Sequence, residues 1–154
     1  MSAKDTYFME IAVDLALKAR KEGDEPFGAL LVHKDQVVKT SENQVHTLSD
    51  PTAHAELKLI REYCNENRIE DLSEYTLYTS CEPCAMCSGA MVWSKLGRLV
   101  YGVSHDALAK IAGDNIMIGC EELFEKSPHS PDVKGGVLKS MAIKVFDDYT
   151  FGGH

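Results

Sequence analysis

Three side chains in this sequence are metal ligands by type and fall in two short runs. His54 stands in His54-Ala55-Glu56, and Cys84 and Cys87 stand in Pro83-Cys84-Ala85-Met86-Cys87. Cys-x-x-Cys is the spacing of a metal clip, and one imidazole with two thiolates is a donor set suited to zinc. Three protein ligands leave one tetrahedral position for water, the arrangement of a catalytic ion and not a structural one. Zinc brings the pKa of a bound water toward about 7, which makes it a nucleophile at neutral pH. Glu56, two residues after the histidine, is then placed to manage protons and not to bind metal. The expected chemistry is metal-assisted hydrolysis. A structural zinc site would need a fourth ligand, for which Cys81, Cys120 or His46 could be nominated. Cys81-x-x-Cys84-x-x-Cys87 also has part of an iron–sulfur spacing, without a well-spaced fourth cysteine. Neither alternative gives Glu56 a role.

The elements that carry these residues must bring them together. Asp50-Pro51 predicts a helix start, with Asp50 as cap, Pro51 at the first helical position and Ala53, Leu57, Ile60 and Cys64 as the buried stripe. Residues two apart do not share a helix face. His54 and Glu56 therefore converge only if the ion lies off the N-terminal end of this helix, where the dipole favours negative charge. Pro83 predicts a second helix start, over about residues 84–94, with Cys84 and Cys87 on one face of its first turn. A helix N-terminus also favours the thiolate form. This helix is apolar nearly all round, so deep burial is expected, with Trp93 included.

Around them, residues 5–22 read as an amphipathic helix (Phe8, Ile11, Leu15, Ala19) stopped by Gly23. Residues 26–33 and 36–40 read as strands joined in a hairpin at Lys34-Asp35, with Gly28 marking a close backbone approach. Residues 44–49 form a polar loop. Short strands at 77–79 and 98–102 each belong to an αβ unit, so the later strands should be parallel. Residues 105–125 read as helical pieces broken at Gly113 and Gly119, 127–131 as a loop, 137–149 as a last helix, and 150–154 as a flexible tail or lid. Glu82 and the histidines other than His54 read as surface groups. No repeat or linker interrupts the chain, so residues 1–154 are expected to form a single domain.

Composition narrows the partners. The net charge is −8, and the densest basic group (Lys18, Arg20, Lys21) is surrounded by Asp14, Glu22, Asp24 and Glu25. A nucleic-acid footprint is basic, so this balance disfavours a phosphate-backbone partner and suits a small substrate. No apolar run approaches the ~20 residues that span a bilayer, and the first residues lack a signal-peptide pattern. A cytoplasmic enzyme with reduced cysteines is expected.

With these residues in view, the sequence resembles the cytidine/deoxycytidylate deaminase-like superfamily. The stretches that carry the resemblance are Pro26-Phe27-Gly28-Ala29, Asp50 to Glu56, Thr79 to Cys87, and Gly89-Ala90. His-x-Glu followed by Pro-Cys-x-x-Cys is the established signature of zinc deaminases acting on nucleobases. The resemblance implies a three-layer α/β/α sandwich with a mixed five-stranded sheet, zinc on His54, Cys84 and Cys87, and Glu56 as the catalytic acid and base. Similarity to the bacterial guanine deaminase branch implies that Phe27 and Trp93 wall a base pocket and that Asn43 bonds the ring. It also implies that Ala55 lies at the substrate, that Asp114 is a second acid near the leaving amine, and that the enzyme is a homodimer. Some members exchange C-terminal segments bearing an aromatic residue, and here only Tyr149 or Phe151 could fill that role. The expected reaction is guanine to xanthine plus ammonia. The tRNA adenosine deaminase branch is the runner-up, through residues 90–98 and 133–138, but a basic C-terminal helix for RNA is missing. Cytosine or another free amino-heterocycle is a further alternative, and a catalytically dead binding protein is the alternative from a different class.

Overall fold

In the computed structural model, which describes residues 2–113 and 115–151, an N-terminal helix precedes a hairpin and then alternating helices and strands. Helix α1 (Ala3–Lys21) is followed by β1 (Gly28–His33), β2 (Gln36–Glu42), the short helix α2 (Val45–Leu48), α3 (Ala55–Asn67), β3 (Thr76–Cys81), α4 (Ala85–Trp93) and β4 (Arg98–Val103). Helices α5 (His105–Ala112) and α6 (Cys120–Glu125), strand β5 (Asp132–Lys134), a single turn α7 (Lys139–Ala142) and a 3-10 stretch (Ile143–Phe146) follow. Ser2 caps α1 by accepting from the Asp5 amide, and Gly23, at φ +93°, ends it as expected.

The sheet runs in the order β2-β1-β3-β4-β5. β1 is antiparallel to both β2 and β3, whereas β3, β4 and β5 are mutually parallel. The antiparallel part comes from a two-residue turn, in which Lys34 and Asp35 both take positive φ (51° and 61°). Such a turn matches the twist of the flanking strands. The parallel part comes from α4, which carries the chain back across the sheet before β4 begins.

Alternation along the strands builds two apolar layers. Ala29, Leu31, Leu77 and Leu99 face α3, α4 and α6 (Leu59, Met91, Phe124). Leu30, Tyr78 and Val100 face α1 (Phe8, Met9, Ala12, Ala16) together with Val145 and Phe146. The result is a three-layer α/β/α sandwich on a mixed five-stranded sheet. At Gly28 a Cβ would lie 2.4 Å from the Ala12 carbonyl oxygen, so only glycine lets α1 seat against β1.

Several local expectations are corrected. The helix expected from Asp50 begins at Ala55, because the Asp50 carboxylate accepts instead from the Thr52 amide (2.8 Å) and hydroxyl (2.6 Å) and closes its own turn. Its buried residues are Ala55, Glu56, Lys58, Leu59, Ile60 and Tyr63, shifted from the expected stripe. Residues 45–48 form a helical turn and not a loop. The helix α4 is buried on one side only, through Cys87, Ser88, Met91 and Val92, while Trp93 is 80% exposed. The long last helix is absent: Leu138 takes φ +53°, and the chain makes one α turn and then a 3-10 turn. There the Arg20 guanidinium donates to the Val145 and Asp147 carbonyls. Three-residue β5, following Pro131, is too short to show a period in sequence.

Candidate active site

The ligand residues meet at the carboxyl end of β3, between the N-termini of two helices. His54 is the N-cap of α3 and Cys84 the N-cap of α4, both in extended backbone (φ −66°, ψ 148° and φ −69°, ψ 174°). Neither cap position receives a side-chain capping bond, so both helix ends open toward the same point. The Nδ1 of His54 lies 3.5 Å from Cys84 Sγ and 3.8 Å from Cys87 Sγ, and the three ligand atoms all lie within 4.8 Å of one another. Tetrahedral coordination with Zn–S of about 2.3 Å and Zn–N of about 2.0 Å requires S···N separations of about 3.6 Å. The donor set and its spacing thus fit a tetrahedral zinc ion. Cys81, Cys120 and His46 do not join the cluster among the described residues.

Electrostatics agree with a site built for a cation. The Cys84 thiol is lowered to about 4, chiefly by the Cys87 thiol donating to it and then by His54. Cys87 is pushed up by that same bond and by burial. The Cys84 sulfur raises His54. The two thiols and the imidazole shift one another's protonation, and a cation bound by all three would compete with those protons.

Glu56 sits in the first turn of α3 and is only 6% exposed. Burial pushes its carboxyl up to about 7, with help from the Cys84 sulfur; His54, its own backbone amide and the Thr79 side chain pull down only in part. An acid near 7 is suited to accept and return a proton at neutral pH. Thr79 lies on β3 opposite Ala29 and Tyr101, and its hydroxyl donates to the Cys81 carbonyl. No motif marks it in the sequence, although its alternate position in a buried strand puts it on the α3 side of the sheet.

The chain matches the family model described as "Cytidine and deoxycytidylate deaminase zinc-binding region" over residues 2–103. It belongs to this deaminase family. Similar curated proteins include a probable cytosine deaminase of Schizosaccharomyces pombe, 33% identical over 99% of this chain and 96% of that one. Another is the guanine deaminase of Bacillus subtilis, 38% identical over 72% of each. Among solved structures, one from a study of tRNA:A34 deaminases superposes with a TM-score of 0.80 at 32% identity, covering 91% of this chain and 99% of that chain. Cytosine, guanine and tRNA adenosine deaminases thus stand at similar distances from this member of the family.

The residues expected at the substrate are placed as follows. Ala55 is fully buried as the first residue of α3, between His54 and Glu56. Asn43 is buried at the end of β2; its amide donates to the Phe27 carbonyl (3.0 Å) and its Oδ1 accepts from the Val45 amide (3.0 Å). Phe27 is half-buried and meets the C-terminal chain, 5.7 Å from the Phe146 ring and 6.2 Å from the Phe151 ring. The last described residue therefore folds onto its own chain. Trp93 closes α4 at the end opposite the ligand cysteines and is not gathered to the site within one chain. Asp114 lies outside the described residues. Glu82, read as a surface group, is instead half-buried, and its carboxylate accepts from the backbone amides of His105 and Cys120 (2.8 Å each), drawing the starts of α5 and α6 to the ligand loop.

Proposed function

We propose that this deaminase uses zinc to hydrolyse the amino group of a free nucleobase or nucleoside in the cytoplasm, with guanine to xanthine as the first candidate reaction. The observation that carries the reading is the approach of His54, Cys84 and Cys87 at zinc-ligand separations beside the buried Glu56. A zinc ion held by those three side chains would supply an acidified water as nucleophile. Glu56 takes a proton from the attacking water and gives it to the ring nitrogen beside the amino-bearing carbon as the C–O bond forms. It then takes the remaining hydroxyl proton and delivers it to the amine. The C–N bond breaks, ammonia leaves, and the ring carbonyl remains.

A small substrate is supported by the acidic balance of the chain and by the backbone bond that joins Phe27 to Asn43. Guanine is supported by likeness to the Bacillus subtilis guanine deaminase. Cytosine is the second reading, favoured by the end-to-end likeness to the probable cytosine deaminase of Schizosaccharomyces pombe. A homodimer is part of the proposal. Trp93, 80% exposed, lies on the side of α4 away from Cys87, Ser88, Met91 and Val92, where a partner would cover it, and sedimentation at equilibrium would check it. Among the described residues no helix is long and apolar enough to cross a membrane.

The test is ammonia release from guanine, cytosine, their nucleosides and an adenosine-bearing tRNA anticodon stem-loop, with Glu56→Ala as blank. Turnover of a free base with none on the stem-loop is the expected result. Turnover confined to the stem-loop would overturn the small-substrate reading.

A further inference from the structure

We propose that Lys58 and Asp24 are positioning residues that clamp the Asn43–Gln44 turn from two sides, so that Asn43 meets the substrate in one orientation. This rests on the reading of Asn43 as a substrate contact. Lys58 follows His54 by one turn of α3, on the same side of the helix, and is 7% exposed. Its Nζ donates to the side-chain oxygen of Gln44 at 2.5 Å. The backbone amide of Gln44 in turn donates to the Ala53 carbonyl, immediately before the ligand histidine. An ammonium group so far from water costs desolvation free energy that an apolar residue of similar length would avoid. What it obtains there is a hold on the turn.

On the other side of the turn, Asp24 is 1% exposed at the end of α1. Its Oδ1 accepts from the backbone amides of His46 (3.0 Å) and Thr47 (2.9 Å), and its Oδ2 accepts from the Thr47 hydroxyl (2.5 Å). The first turn of α2 is therefore capped by a residue remote in sequence. Between these holds, Asn43 has its backbone amide on Phe27 and its Oδ1 on Val45. The amide oxygen is committed to the fold, which fixes the direction of the amide nitrogen. Two buried charged side chains thus act on one short turn; the Lys58 backbone amide donates to the His54 carbonyl within α3, but among the described residues neither side chain is hydrogen-bonded to a ligand side chain. Their role is to set how the substrate is received, and it is separate from proton transfer.

The experiment is steady-state kinetics on guanine, or on cytosine if the panel selects it, with bound zinc and melting temperature measured on each protein. Lys58→Met should raise KM about tenfold, the scale of one hydrogen bond to a charged group, with kcat and zinc content held. Gln44→Leu removes the same bond from a half-buried turn and should reproduce the KM rise even if Lys58→Met folds poorly. Lys58→Arg should recover most of the loss. Combining Lys58→Met with Asn43→Ala should be no worse than Asn43→Ala alone, because the lysine acts through the asparagine. Additive effects in that pair, or a fall in kcat with loss of zinc, would overturn the proposal. A wild-type KM in Asn43→Ala would overturn it as well, and would place the failure in the reading of Asn43 and not in the clamp.

Discussion

Among the buried carboxylates, Asp5 and Glu56 lie at opposite ends of the sheet and are treated in opposite ways. Asp5, in the first turn of α1, is 2% exposed and receives four donors. Its Oδ1 accepts from the Tyr78 hydroxyl (2.6 Å) and Arg98 (2.9 Å), and its Oδ2 accepts from Arg98 (2.8 Å) and Lys134 (3.1 Å). The Arg98 guanidinium, aided by Tyr78 and Lys134, holds this carboxyl well below the usual range in spite of burial. Glu56, at the carboxyl end of β3, is nearly as buried but lacks such a cationic cage, and its carboxyl rises to about 7. Burial alone does not mark a reactive acid. What separates the two is how completely the charge is compensated: Asp5 is locked as an anion and ties α1, β3, β4 and β5 together, whereas Glu56 is left free to change its proton.

The sharpest way to break this contrast is to neutralise each acid. Glu56→Gln should lower kcat by about 10³-fold, the scale of a lost general acid and base. The same change should raise the melting temperature of zinc-free protein at neutral pH. The sign follows from linkage: a carboxyl whose folded pKa is raised costs stability as pH climbs above its unfolded value near about 4.3, and the amide removes that cost. A Glu56→Gln protein that keeps a tenth of the activity, or melts lower without zinc, would end the assignment.

Asp5→Asn should do the reverse. It leaves Arg98 and Lys134 facing a neutral amide and should cost about 3 kcal/mol of stability, with KM of the folded fraction unchanged. Urea titrations beside kinetics would show this. The pH dependence refines the point. A depressed carboxyl contributes stability that is fully present above its unfolded pKa of about 3.9 and is lost as pH falls toward the folded value. Wild-type stability should therefore fall from about pH 5 downward, and Asp5→Asn should lack this component of the acid limb. The smallest effect is expected from Tyr78→Phe, about 1.5 kcal/mol for one donor to the charged aspartate. A cost as large as that of Asp5→Asn would mean that the cage depends on the phenol and not on the cations.

The same contrast explains what could be read from the chain. Cys84, Cys87, His54 and Glu56 lie within two short runs, so the gathering of the three ligand-type side chains was legible from type and spacing, and His54 stands at the N-cap of α3 as the geometry of residues two apart requires. The hairpin at Lys34-Asp35 and the parallel strands after α4 were legible because turn chemistry and αβ alternation are local or topological. The start of α3 was misjudged because Asp50 satisfies Thr52 and not a helix. The exposure of Trp93 is not legible, because an apolar helix does not say which side its own chain covers. The Asp5 cage, the grip of Glu82 on α5 and α6, and the Asp24 and Lys58 contacts join residues 14 to 129 positions apart. No periodicity reports such pairs.

One further consequence follows from the contiguity of α3, β3 and α4. All three residues that fit the ion lie between positions 54 and 87, on two helices flanking a single strand, so synthesis delivers the complete ligand set with more than a third of the chain still to come. Joining His54 to the cysteine pair closes a loop of only about thirty residues, a small entropic cost that grows slowly with length. Assembly of this donor set does not have to wait for the docking of the C-terminal third. In chain order, β4, α5, α6 and the C-terminal aromatic contacts of Phe27 come afterwards, around ligand-type residues already synthesised.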